Sequence, residues 1–272
     1  MMRIVSCLMV VTSLAWCQSF EVATVKHGAP GDYGVRGSGG PGTSDPTRYS
    51  VENYAMSGLL EMAFGISSYQ LSGPGWLDSE RFTVAAKVPE GTTREQLRLM
   101  MQNLLVERFR LAAHFEKRVI AGYQLVVAKR GPKLAAPPGG PDSDEDSEKT
   151  SAPFRMTFDN DGYPQLPPGR HYAMTIANDR ARWRFADESM NHFAGILGNQ
   201  IHQPILNATG LTRGYDFVVS WSAAAPQPDA SADSGPTIFA AIQEQLGLKL
   251  VSAKIAVDTL VIDHIEKSPS ED

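Results

Sequence analysis

Histidines are the first residues to consider, because an imidazole can bind a metal or act as a general base near neutral pH. A zinc peptidase site needs two histidines four residues apart on a helix, with a glutamate between them. No such motif occurs, and the nearest pair, His192 and His202, is separated by ten positions across a predicted helix end. The histidines therefore predict no metal site. The six are His27, His114, His171, His192, His202 and His264.

Carboxylates at the ends of predicted elements leave two interpretations open. A hydrolase of the glycosidase type needs two carboxyl groups that face each other across a cleft. More commonly, such residues are simply exposed to solvent at the ends of strands and helices. We therefore keep a hydrolase with a carboxylate pair as the alternative function. The carboxylates in question are Asp78, Glu80, Asp187, Glu188, Asp216, Asp258 and Asp263.

Other catalytic and cofactor motifs are missing from the sequence. There is no GxSxG nucleophile elbow, no GxGxxG between a strand and a helix, and no GxxxxGK[ST]. Asp159 to Gly162 resembles the start of a calcium loop, but the twelfth position is Arg170 instead of glutamate, so a turn is predicted. The sequence therefore predicts no catalytic residue, no cofactor and no metal.

The N-terminus has the pattern of a secretory signal. Arg3 precedes an apolar run, Ile4 to Trp16, that is too short to span a membrane and suits a signal core. Cleavage after Cys17 or after Ser19 would remove the only two cysteines, Cys7 and Cys17. In the alternative, Cys17 becomes the lipidated N-terminus of a lipoprotein. We expect a secreted or periplasmic protein.

Composition excludes two further classes. Lys+Arg 25 against Asp+Glu 30 gives a formal charge of -5, which lacks the basic footprint of a nucleic-acid binder. No apolar run long enough for a membrane helix follows the N-terminal segment, so no transmembrane segment is expected after cleavage. The hydrophobic fraction of 42% is ample for a packed core.

Hydrophobic periodicity predicts the elements that position these residues. Phe20–Lys26 and Arg81–Val88 alternate apolar and polar residues, which is typical of strands. Tyr54–Phe64 and Arg94–Phe109 have helical spacing.

The longer helix has a start signal at its N-terminal end. Thr92 and Glu95 predict an N-cap with a capping box. Beyond it, Leu111–Lys117 and Gly122–Lys129 predict two antiparallel strands joined by a tight connection.

Two low-complexity stretches divide the chain. Residues 131–153 are rich in proline and acidic residues, and 223–235 have no period, so both are predicted as loops. The predicted organisation is a signal at 1–19, a first α+β unit at 20–130, a linker at 131–153 and a second α+β unit at 154–272.

A weak internal repeat supports two related units. RYSVEN and RWRFAD each precede an apolar-faced helix, and FRLAAHF and LKLVSAK each follow one, at an offset near 134 to 139 residues. Each unit is predicted as strand, helix, strand, helix, strand, strand. Antiparallel sheets packed against helices make this an α+β fold.

Two glycine-containing turns occupy equivalent positions in the repeat and form our predicted binding surface. Their equivalent positions are the reason for the prediction, and the alternative is that the glycines serve only turns with positive φ. The surface residues are Gly73, Pro74 and Trp76 in the first turn, and Thr209, Gly210 and Arg213 in the second.

Several long segments of the sequence resemble one family. They include YQLSGPGWLDSERFTVAAK, LRLMMQNLLVERFRLAAHFEKR and PILNATGLTRGYDFVVSW. These resemble an uncharacterised family of secreted proteins of soil Acidobacteria of the Solibacter type, over Phe20 to Lys267. That family is a domain of unknown function, and a similar domain is attached to membrane metallopeptidases of the β-lactam-sensor type. The resemblance implies an extracytoplasmic sensing or binding role and transfers no catalytic residue.

Two functions from different classes follow. The favoured hypothesis is a non-enzymatic binding, interaction or sensing protein of the bacterial envelope, whose partner is an envelope protein or a cell-wall ligand. Exposed strand edges can accept a partner strand. The alternative is a secreted hydrolase with a carboxylate pair. The ligand and the oligomeric state are not determined by the sequence.

Overall fold

The computed structural model describes residues 19–28, 34–136, 157–166, 170–223 and 235–270. Apart from Ser19, the predicted signal lies outside the described residues, as does most of the predicted linker and of the low-complexity loop. No helix in the described ranges is long and apolar enough to cross a membrane.

Within these ranges the chain forms an α+β fold, which confirms the fold class predicted from the alternating patterns. The four helices are α1 (Met56–Phe64), α2 (Arg94–Phe109), α3 (Met190–Ile201) and α4 (Ile238–Leu246). The strands are β1 (Val22–His27), β2 (Arg36–Gly39), β3 (Arg48–Ala55), β4 (Leu71–Ser72), β5 (Arg81–Lys87), β6 (Ala112–Val127), β7 (Tyr172–Ala177), β8 (Arg180–Ser189), β9 (Ile205–Asn207), β10 (Gly214–Ser222) and β11 (Leu248–His264).

The first sheet has the strand order β1-β5-β3-β2, and all neighbouring strands are antiparallel. Phe82 and Val84 alternate with more exposed neighbours along β5, so their side chains enter the core. Helices α1 and α2 cover this face and contribute Leu59 and Leu105, which are fully buried. We call this sheet with its two helices the first unit.

The second sheet has the order β10-β8-β7, also antiparallel. Its core is aromatic: the ring centroids of Trp183 and Trp221 are 4.6 Å apart, as are those of Phe185 and Phe217. Such pairs add to the stabilisation from burying their large apolar area. Helices α3 and α4 cover this face, and the whole forms the second unit.

The two longest strands, β6 and β11, pair with each other along their whole length in an antiparallel ribbon. At one end the ribbon contributes Leu125 and Leu248 to the second core. At the other end Ala113 and Ile262 pack against the first core. Each long strand therefore belongs to both units, and the ribbon joins them.

Two short strands, one from each unit, pair with the outer edges of the ribbon. β4 of the first unit pairs in parallel with β11, and β9 of the second unit pairs in parallel with β6. At Gly122 the chain approaches β9 so closely that a Cβ would overlap the Pro204 carbonyl. Tyr123 N–H donates to the same carbonyl at 2.9 Å.

The prediction of two strands at the end of each unit was wrong, because each pair is one continuous strand. The ribbon passes from one core to the other, and its middle contacts neither, which leaves Val119 66% exposed. The sequence of residues 117–122 of β6, KRVIAG, does not alternate polar and apolar residues, and the prediction placed a tight connection between two strands there.

The N-cap of α2 also lies one residue later than predicted, although the helix has the predicted bounds. Thr93 is the N-cap, since its hydroxyl accepts the backbone N–H of Gln96, whose side chain accepts the N–H of Thr93. Thr92 instead donates its hydroxyl to the Pro89 carbonyl. The capping box therefore uses glutamine three residues after the cap, in place of Glu95.

The order of elements is the same in both halves. The order β5-β3-β2 corresponds to β10-β8-β7, and each sheet has an irregular register where its helix begins. At that point each half of the chain places a non-glycine residue at positive φ, Asn53 at 59° and Asp187 at 49°. These correspondences support the predicted repeat.

The outer edges of β5 and β10 are closed differently. β5 pairs with β1, whereas β10 pairs with Ala135 at Asp216 and with the side chain of Gln245. Gln245 accepts the Ser220 N–H at 2.9 Å and donates to the Ser220 carbonyl at 2.8 Å. An amide side chain thus supplies both bonds that a partner strand would make.

Replacing Gln245 with alanine removes both bonds to Ser220. We expect the free energy of unfolding in urea to fall by about 1–3 kcal/mol, because a half-buried donor and acceptor lose their partner. Gln243→Ala makes the same change at an exposed position of α4 and should alter stability by less than about 0.5 kcal/mol. Equal losses in the two variants would show that Gln245 does not close the edge.

Candidate functional site

The two turns predicted as a binding surface lie at opposite ends of the ribbon. The first turn follows β4, whose Ser72 lies level with His114 of β6 across β11. The second follows β9, whose Asn207 pairs with Leu125 of β6. Eleven residues of extended strand separate His114 from Leu125, about 36 Å at roughly 3.3 Å per residue. The turns therefore do not line one groove.

The first turn is held by packing. Gly73 packs against Ile262 of β11. Pro74 precedes a short 3₁₀ helix, and Trp76 in that helix lies half-buried against the first core. Lys267 Nζ is 5.8 Å from the centre of the Trp76 ring. A binding role for this turn stays a prediction.

The second turn uses its polar groups internally. Asn207 Oδ1 accepts the backbone N–H of Thr209 at 3.1 Å and its hydroxyl at 2.8 Å. The Thr209 hydroxyl in turn accepts the N–H of Leu211. Gly210 has φ 70°, and Arg213 is exposed. Because the Thr209 side chain stabilises the turn, Arg213 is the group that faces solvent.

Several carboxylates from the sequence also have local partners. Asp216 Oδ1 accepts the backbone N–H of Asp187 at 2.8 Å, and Asp263 pairs with His114 Nδ1 at 2.8 Å. Asp159 accepts backbone N–H groups two and four residues further on, which confirms the predicted turn. Within the described part of the chain, no three His, Cys, Asp or Glu side chains are grouped to hold a metal ion.

A cleft of about 450 Å³ opens where α1, α2, the loop after β2 and the last turns of α3 meet. Its lining combines apolar side chains with charged groups from different elements. The apolar lining is Met62, Ile66, Leu97 and Met101, and the polar lining includes Tyr49, Glu61, Arg94, Arg98 and Asn199.

Two glycines in the left-handed region shape the edges of this cleft. Gly39 has φ 74°, and a Cβ there would overlap the Arg48 carbonyl, so only glycine lets the loop turn at that point. Gly65 has φ 64° and ends α1, with its N–H bonded to the Glu61 carbonyl. The chain therefore leaves α1 at the cleft and continues into Ile66, which lines it.

Arg94 and Arg98 place two guanidinium groups around the cleft. They lie one turn apart on the same face of α2, and both are exposed. The Arg98 guanidinium carbon lies 3.6 Å from where a Cβ on Gly65 would be, next to the C-terminal end of α1. Arg94 lies beside Gly42 of the loop after β2. The rim of the cleft is therefore positively charged.

The acidic groups in the cleft resist ionisation. Burial, and then the charge of Asp78, raise the pKa of Glu61 above its ordinary 4.5, although His202 acts in the opposite direction. Burial, with a smaller contribution from Tyr54, raises the pKa of Tyr49 to about 12. Two permanent cations are thus accompanied by a neutral phenol and a carboxyl group with an increased proton affinity.

A hydrogen bond joins the two units next to the cleft. His202 follows α3 in a left-handed conformation, with φ 54°. Its Nδ1 lies 3.1 Å from the Ser68 hydroxyl of the first unit. Asn199, one turn earlier, lines the cleft itself. The second unit therefore contributes to a site that lies mainly on the first.

Sequence reasoning missed this cleft. Glu61, Arg94 and Arg98 are ordinary polar positions of amphipathic helices, and no motif connects them. Asp78, which the sequence did single out, acts on the site through the pKa of Glu61. The one available signal was the i, i+4 pair of arginines on α2.

A second titratable pair lies at the start of α3. Glu188 is 3% exposed, and its Oε1 lies 2.8 Å from Nδ1 of the half-exposed His192. Its other oxygen is buried without a partner among the described residues. Burial raises the pKa of Glu188 above 4.5, against the opposing effects of His192 and His171. No second carboxylate faces this pair within hydrogen-bond distance in the described ranges.

Comparison with known proteins identifies the family. Residues 57–265 match the family described as "Protein of unknown function (DUF3738)", and the chain belongs to that family. The match contains Glu61, Arg94, Arg98 and Asn199 of the cleft but begins after β3. No curated protein and no solved structure matches the chain.

Glu188→Gln should change how stability depends on pH. Because folding raises the pKa of Glu188, the folded state holds that proton more tightly. The stability that this difference in pKa contributes is fully present below the pKa of Glu188 in the unfolded state. It is lost as pH rises through the pKa of Glu188 in the folded state. The variant should lose less stability than the wild type between pH 4 and pH 8 in urea unfolding. Glu90→Gln, at an exposed position, is the control, and identical slopes for wild type and Glu188→Gln would contradict the burial of an ionisable carboxyl.

Proposed function

We propose that this protein is an extracytoplasmic binding protein that holds a small anionic ligand with an apolar body in the cleft. The observation that carries the proposal is the pair of arginines, Arg94 and Arg98, beside an apolar lining. The sequence pattern of residues 1–19 supports export, so the ligand would be met in the envelope or outside the cell.

The charge at the rim suits a carboxylate or a similar anion. A guanidinium group presents paired N–H donors that match the two oxygens of a carboxylate. Arg94 and Arg98 lie on one helix, so their separation is set by the helix and not by a loop. Below its raised pKa, the carboxyl group of Glu61 adds no competing negative charge.

The lining suits an apolar body of modest size. The side chains of Met62, Ile66, Leu97 and Met101 come together from α1, α2 and the loop that follows α1. A volume of about 450 Å³ lies within the range of roughly 300–1,000 Å³ found for small-molecule sites. Methionines adapt to ligands of different shape. A cell-wall peptide with a free carboxylate, and a fatty acid, both have this chemistry.

Calorimetry with two probes tests the proposal. N-acetyl-D-alanyl-D-alanine represents a cell-wall peptide, octanoate represents a fatty acid, and 1-octanol is the uncharged control. We expect one of the two anions to bind, and Arg98→Ala to weaken it roughly 10- to 100-fold, since a hydrogen bond to a charged group contributes about 1.5–3 kcal/mol.

Arg130→Ala is the matched control, because Arg130 is exposed beyond the end of β6, outside the cleft lining. It should leave binding unchanged. If 1-octanol binds as tightly as octanoate, or if both arginine variants behave alike, the cleft does not recognise an anion.

One observation favours a second function, hydrolysis by a carboxylate pair. Asp78 raises the pKa of Glu61, as expected for two carboxyl groups close enough to interact. In such an enzyme Glu61 would act as the general acid and Asp78 as its ionised partner.

Glu61→Gln distinguishes the two functions. For binding, the affinity for octanesulfonate, which stays ionised across the range, should fall as pH rises through the pKa of Glu61, because a second negative charge then appears in the cleft. In Glu61→Gln this fall should disappear while binding persists. Turnover of a glycoside or peptide polymer by the wild type, abolished in Glu61→Gln, would instead establish the hydrolase.

A further inference from the structure

The edge strand of the second sheet, β7, presents an apolar strip. Tyr172, Met174 and Ile176 are 41%, 38% and 58% exposed, although they lie on the same face of the sheet as the core residues Phe185 and Trp183. The Tyr172 ring stacks against Phe185 at 5.9 Å. The strip therefore continues the aromatic core to the surface.

The corresponding position of the first unit has no such strip. There, the β2 residues opposite Val51 and Tyr49 are Gly37 and Gly39. Just beyond them Leu97 of α2 packs beside Gly40. Helix α2 has 16 residues and α4 has 9, so α4, as the described residues show it, is about two turns shorter than α2. The positions of β7 that correspond to these two glycines of β2 hold large apolar side chains.

Among the described residues, each of the other edge strands carries a charged side chain, is closed by a partner or is very short. Gln245 closes β10, Arg36 lies on β2 and Lys26 lies on β1. The edge strands β4 and β9 have only two and three residues. β7 is a six-residue strand, YAMTIA, without a charged side chain or proline. Edge strands of this type pair readily with another strand.

We infer that β7 pairs with β7 of a second copy of this chain, in a two-fold symmetric antiparallel arrangement. Residues directly opposite in such a pair must lie on the same face, so the register places Met174 opposite Met174 and Tyr172 opposite Ile176. All three apolar side chains of each strip then meet across the two-fold axis. The two sheets join into one six-stranded sheet.

The pattern of β7 fits a copy of itself better than a different partner. An isologous interface requires a patch complementary to itself, and an uncharged strand brings no like charges together. At the ends of the pair, Arg170 of one copy lies beside the Asn178–Asp179 turn of the other, so opposite charges meet at both ends.

Sedimentation equilibrium of the full chain measures this association directly. We expect a dimer that Met174→Lys weakens at least tenfold, because two lysines then face each other on the axis. Val22→Lys makes a similar change at an apolar side chain on the edge strand of the first sheet, 63% exposed, and should leave the dimer intact. A monomer at 100 µM protein, or a dimer unaffected by Met174→Lys, would overturn the proposal.

A disulfide experiment tests the register without depending on the stability of the lysine variant. In a chain with Cys7→Ser and Cys17→Ser, Met174→Cys should form a cross-linked dimer in air, since directly opposite residues lie about 4.5–5.5 Å apart between Cα atoms. Thr175→Cys is the control, because Thr175 lies on the other face and opposite Ala173 of the second copy. Cross-linking through Thr175→Cys but not Met174→Cys would exclude this pairing.

Discussion

The pairing of β6 with β11 is the constraint on which the rest of the structure depends. Each strand begins in one core and ends in the other, with Leu125 and Leu248 buried in the second unit and Ala113 and Ile262 packed in the first. The ribbon makes the two units one structure, because separating them would break a ladder that extends over both strands.

The cleft is a consequence of that crossing. The ribbon, together with β4 and β9, brings the ends of α1 and α3 to the same region, where His202 meets Ser68. The first unit supplies the arginines, the carboxyl group and most of the apolar lining, and the second supplies Asn199. A ligand bound at the junction of the two units contacts residues of both, which suits the sensing or binding role proposed for this protein.

Local patterns predicted much of the fold and little of the site. Helix α2 has the predicted bounds, Arg94–Phe109, and β5 follows the predicted alternation, because each buries one face against a single core. The ribbon was missed since its middle contacts neither core, and β4 and β9 are too short to show a period. The cleft depends on contacts between residues such as Glu61 and Asn199, far apart in the chain, which no local spacing encodes. The turns at Gly73 and Thr209 do have equivalent places in the two halves, but the crossing strands put them at opposite ends.

An NMR titration of the ¹⁵N-labelled protein with whichever of the two anions binds in calorimetry is the sharpest test of anion binding in the cleft, since it locates the bound anion on the chain. Binding in the cleft predicts that the largest shift changes fall on the last turn of α1, the first two turns of α2 and Asn199 of α3, and that Arg98→Ala removes them at the same ligand concentration. Shift changes confined to the turns at 73–76 and 209–213, with α1 and α2 unaffected, would contradict it.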